Sequence, residues 1–184
     1  MHKLAAAAVL AALASTASAT TAVAQTRAAV KGPDLGQPVS AEDIAKWDIE
    51  IPPSGKGLPA GSGTVAAGEA VYVRTCESCH GPKGAGKPND ALVGGVGKLA
   101  GKGPALKTVG SYWPYATTVF DYVRRSMPVT APQSLSNDEV YAVTAYLLHL
   151  NGIIGADDVM DAKSLPAVKM PNRDSFTSLY KPKK

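Results

Sequence analysis

Cys76-Glu77-Ser78-Cys79-His80 brings together both cysteines of the chain and one of its three histidines. Two thiols one helical turn apart, followed directly by an imidazole, suit covalent attachment of a c-type haem. Each thiol can add across one vinyl group, which leaves the imidazole beneath the iron as its proximal ligand. Other uses of C-x-x-C need other surroundings. A thioredoxin-like dithiol sits at a helix N-terminus within a βαβ pattern, where its thiolate is stabilised. Here the pair closes a helical stretch, with no strand pattern nearby. A structural zinc needs four ligands, and Cys76, Cys79, His80 and His149 supply them only across segments that lack metal-ligand spacing. A Cys76–Cys79 disulfide is the remaining competitor.

A haem iron held by His80 calls for a sixth ligand from a soft or nitrogen donor downstream. Met127 stands at the end of a predicted helix, and Pro128 stops that helix and presents the thioether from a rigid loop. Met170-Pro171 has the same local form, and Met160, His149 and an open site also compete for the role. A methionine is by default core filler, so the helix-end position is what singles out Met127. His/Met ligation raises the reduction potential and closes both axial positions to substrate, which suits outer-sphere electron transfer. An open site would favour oxygen, peroxide or sulfur chemistry instead. Tyr112, Trp113 and Tyr115 could pack against the porphyrin, and Arg124 or Arg125 could pair a propionate. Ordinary core packing and surface exposure compete with both assignments.

The elements that must position these residues read as helices. Ser40 caps a short one that carries Asp43 at N3 and ends near Trp47. A second runs from Val65 into Cys76. Its Gly68 is either a site of close helix crossing or a tolerated surface glycine. A third covers Ala116 to Ser126, after the Trp113-Pro114 turn. A fourth begins at Asn137 with a Ser136/Glu139 capping box and stops at Asn151-Gly152, with Val140, Val143, Leu147 and Leu148 on a broad apolar face. No segment alternates convincingly, so the expected core is all-α, with about three main helices around one covalent haem.

Residues 81–110 form a glycine-rich loop carrying Lys83, Lys87, Lys98, Lys102 and Lys107 against Asp90 alone. That is either a solvated loop or a positive rim that steers an acidic partner. The expected organisation is a signal peptide over 1–24, an N-terminal extension over 25–63, a haem domain over 64–152 and a C-terminal extension over 153–184. Lys3, the apolar stretch from Leu4 to Leu13 and the Ala22-Val23-Ala24 cleavage pattern before Gln25 carry the first of these. No run approaches the roughly 20 apolar residues of a membrane span, so a soluble, exported mature chain is expected. With 45% hydrophobic residues but only two Phe and two Trp, a buried porphyrin would supply part of the core. Its net charge of +4, lowered when Lys3 leaves with the signal, is no argument for nucleic acid.

The chain resembles the class I cytochromes c, and within them the SoxD-type cytochrome subunit of sulfane (sulfite) dehydrogenase. The resemblance rests on AEDIAKWDIEIPPSGKGLPAGSG at 41–63, CESCHG at 76–81, TVGSYWPYATTVFDYVRRSMP at 108–128, APQSLSNDEVYAVTAYLLHLNGII at 131–154 and SLPAVKMPNRDSF at 164–176. It implies periplasmic electron transfer from a molybdenum-cofactor subunit to a downstream acceptor such as another cytochrome c. Cys76 and Cys79 then match the haem-attachment cysteines, His80 the proximal ligand and Met127 the distal one. Longer members carry a second haem domain; this chain has one C-x-x-C-H.

Overall fold

The structure is a computed structural model describing residues 35–99, 104–177 and 179. The expected signal peptide, Lys102 and the basic tail at 181–184 lie outside the described residues. The compact body begins at Val39.

Among the described residues, five α-helices and a two-stranded ribbon build it: α1 (Ala41–Trp47), β1 (Ser62–Thr64), α2 (Val65–Thr75), the single turn α3 (Glu77–His80), α4 (Ala116–Ser126), α5 (Asn137–Leu150) and β2 (Val159–Asp161). Two of the three long helices, α2 and α5, begin at a side-chain cap, whereas α4 starts at Tyr115 without one. Thr64 caps α2 by accepting the Ala67 N–H, and Ser136 and Glu139 close the capping box of α5. Ser40 caps α1 as its sequence predicts.

Helix α5 is the centre of the compact body that begins at Val39. Every residue from Val140 to Leu148 is buried, so the single apolar face expected from its spacing becomes a helix covered all round. Helix α2 crosses it where Gly68 faces Ala142: a Cβ on Gly68 would run into the Ala142 carbonyl and the Tyr146 Cβ. Gly63 meets the same residue. Gly68 is therefore a close-crossing glycine, and the missing side chain is what lets the two backbones approach. On another side, Phe120 of α4 packs on Tyr141 with ring centroids 4.5 Å apart.

The helical core carries one short strand pairing that no alternation in the sequence announces. Ser62–Thr64 pairs antiparallel with Val159–Asp161, joining chain before α2 to chain after α5. Three residues are too few to show alternation, and such a short pairing is stable only because α5 supports it. The core remains helical.

Candidate functional site

Thr75 ends α2, and the chain turns at Cys76 into α3. The Cys79 and His80 N–H groups both donate to the Cys76 carbonyl, at 3.1 and 2.9 Å. The following loop then folds back over the helix end. Gly81 N–H donates to Glu77 O, Gly86 N–H to His80 O at 2.7 Å and Asn89 N–H to Cys79 O at 2.9 Å. Those bonds satisfy carbonyls that a helix terminus would otherwise leave bare. Gly81 has φ +72°, and a Cβ there would collide with the Gly86 carbonyl, so the loop closes only with glycine at this position. Beneath the turn the buried Tyr72 hydroxyl donates to Gly81 O at 2.8 Å.

His80 Nδ1 lies 2.8 Å from the Asp90 carbonyl. A carbonyl can only accept, so Nδ1 carries the proton and Nε2 is left as the free lone pair. This is the outer-shell contact that orients a metal-bound imidazole. Sequence reasoning missed Asp90 because a backbone carbonyl has no residue signature. No disulfide joins Cys76 and Cys79, and both are half-buried. Burial pushes the Cys76 thiol upward, and the Thr75 hydroxyl only partly offsets it. A partly buried cysteine whose thiolate is disfavoured is poorly suited to dithiol redox chemistry.

Cys76, Cys79 and His80 line one side of a cavity of about 440 Å³, within the range of a ligand pocket. Another wall comes from α4 and the chain that follows it: Val119, Tyr122, Val123 and Met127. Val143 and Leu147 of α5 form its back. Met160 and Met170 are buried in the core away from the cavity, and His149 does not line it; its Nδ1 faces the Ile154 carbonyl at 3.3 Å. Among the described residues no three of His, Cys, Asp and Glu cluster as a metal would require.

The donor set fits a haem c. Two thiols stand beside an imidazole with its Nε2 free, a thioether reaches the same space from a second element, and the walls between are apolar. Some expected neighbours lie elsewhere. Trp113 lines the cavity, but Tyr112 packs edge-on against Phe176 and Tyr115 lies under the Arg173 guanidinium. Arg124 and Arg125 also face away from it: Arg124 donates to the Ile49 carbonyl and Arg125 pairs with Asp121. Among the described lysines of the loop, Lys107 reaches the cavity rim. Asn151, expected only as a helix stop, ties the loop down, bonding to Leu92 O and Leu147 O through Nδ2 and accepting the Gly94 N–H.

The family described as cytochrome c oxidase, cbb3-type, subunit III matches residues 63–147, which contain the whole C-x-x-C-H turn, α4 and most of α5. In the crystal structure of the sulfane dehydrogenase SoxCD from Paracoccus pantotrophus, one chain is 44% identical with a TM-score of 0.72, over 78% of this chain and 71% of that one. The chain belongs to the class I cytochrome c family. No curated protein matches it. The cytochrome is an electron-transfer protein whose family carries haem c. Its all-α core, with the cavity set among α2–α3, α4 and α5, is the fold expected of that family. No helix among the described residues is long and apolar enough to cross a membrane.

Proposed function

We propose that this cytochrome is a periplasmic monohaem electron carrier, the cytochrome subunit of a molybdenum-dependent sulfane or sulfite dehydrogenase. It would be the electron-transfer partner of the catalytic subunit and pass electrons to an acceptor such as another cytochrome c. The observation that carries the reading is the meeting of Cys76, Cys79, His80 and Met127 at one cavity, with His80 turned by the Asp90 carbonyl. Cys76 and Cys79 would tether the haem, and His80 Nε2 and the Met127 thioether would hold its iron. Bound there, the haem supplies one-electron redox chemistry. The protein's part is to exclude water with Val119, Val143 and Leu147, fix the imidazole, and keep the sixth position filled.

The sulfur link rests on the likeness to SoxCD. Residues 1–24 would direct export and be removed, with 25–63 and 153–184 as extensions about the haem domain at 64–152. Helix α1 supports a docking role for the first extension: it buries no residue, and Ile44 and Trp47 are 53% and 83% exposed. Apolar side chains so displayed suit a protein partner.

A pyridine haemochrome assay with intact mass on periplasmic protein tests the cofactor: one covalent haem per chain, on a polypeptide beginning at Gln25, is expected. The ferric thioether-to-iron charge-transfer band should be present in the native protein and absent in Met127→Ala. Identical spectra would remove Met127 as ligand and bring back an open or differently ligated site. Co-purification with a molybdenum protein is expected; recovery of the cytochrome alone would favour a free-standing shuttle.

A further inference from the structure

Residues 49–53 lie beside α4, and every second residue is gripped through its backbone by a side chain of that helix. Thr117 Oγ1 donates to the Pro53 carbonyl at 3.0 Å, Asp121 Oδ1 accepts the Ile51 N–H at 2.7 Å, and Arg124 Nη1 donates to the Ile49 carbonyl at 3.0 Å. Steps of four and three residues put the three anchors on one face of the helix. The order of contacts makes the segment run antiparallel to α4. Between the anchors the Ile51 side chain enters the core. Asp121 is itself buried and is charge-balanced by Arg125. Pro52 and Pro53 have no N–H, so Ile51 presents the donor in this stretch that α4 must satisfy.

The same helix ends at Met127. Its other side supplies Val119 and Val123 to the cavity wall, and the Met127 N–H donates to Val123 O at 3.0 Å. Arg124 belongs to the last turn, so its bond to Ile49 restrains the part of a helix most prone to fraying. His80 owes nothing to this segment, because its bonds lie within residues 76–90.

We propose that residues 49–53 are a strap that holds the Met127 thioether in place, with Asp121 and Arg124 as its positioning residues. This rests on the reading of Met127 as the sixth ligand. The strap limits how often the last turn of α4 opens and the sulfur leaves the iron.

Imidazole added to the full-length ferric holoprotein tests this, since it replaces the thioether at a rate set by how often the sulfur leaves. Loss of the charge-transfer band is timed while far-UV circular dichroism follows the helices. Asp121→Ala and Arg124→Ala should each lose the band roughly tenfold faster than wild type, because a hydrogen bond to a charged group is removed. The helical signal should stay intact. Asp121→Asn keeps an oxygen for the Ile51 N–H and should recover a rate near wild type. Should Asp121→Ala fail to fold, Arg124→Ala and the near-isosteric Thr117→Val carry the same comparison. Unchanged rates in the strap variants, with a wild-type band that Met127→Ala abolishes, overturn the strap alone. A wild-type band that survives Met127→Ala, or no band at all, overturns the ligand reading and the strap's role with it.

Discussion

The Cys76–His80 side of the cavity and the Met127 side are built by different means. On the first, both thiols and the imidazole sit on one turn, and the backbone bonds that close it come from residues no further along than Asn89. On the second, Met127 is placed by a helix whose outer face is held by residues 49–53, each anchor spanning 64 to 75 positions of sequence. One side is assembled by local chain geometry and the other by long-range packing. Damage to remote parts of the chain should therefore disturb the Met127 side first, while damage within the C-x-x-C-H turn should be complete and confined to it.

The largest effect tests that confinement. Replacing both cysteines with alanine should abolish covalent haem, read as loss of the pyridine haemochrome signal from denatured protein and a fall in intact mass. Retention of the haem through denaturation would break the comparison at its root. Next comes the platform beneath the turn. Gly68→Ala puts a methyl group into the Ala142 carbonyl and should destabilise the protein by about 3 kcal/mol through overpacking, measured by denaturant unfolding. A cost near zero would mean that α2 can move off α5 freely, and the local side would then not be anchored as described.

Tyr72 sharpens the picture with pH. Burial pushes its phenol up to about 12 from an ordinary 10. The fold thus favours the neutral form, and that contribution is fully present below about pH 10 and lost as pH rises towards 12. Tyr72→Phe should flatten stability over that alkaline window. It should also cost about 1 kcal/mol at neutral pH, because the Gly81 carbonyl loses its donor. Stability curves at several pH values would show both. The smallest effect belongs to neither side: Ser136→Ala removes the α5 cap and should cost about 0.5 kcal/mol in thermal or denaturant unfolding, with haem spectra unchanged.

How much of this was legible depends on the range of the interaction. The Ser40 and Ser136 caps, the extent of α4 and the α2 stretch ending at the cysteines follow from residues within a few positions of one another. The β1–β2 ribbon, Asn151 as a loop anchor and Arg124 as a strap anchor join distant segments, and no local pattern announces them. Gly68 is intermediate: its presence is plain in the sequence, but only the nearness of Ala142 says why a side chain cannot stand there.

By itself the sequence determined the chemistry of the C-x-x-C-H turn, since two thiols and an imidazole within five residues bring their own geometry. It also determined the helical character of the core, because caps and apolar spacing act over single turns. Only the tertiary structure decided which methionine reaches the cavity, which carbonyl turns His80, and where the two arginines go. Those choices depend on burial and hydrogen bonding between segments that meet after folding, where many small contacts together outweigh any local preference.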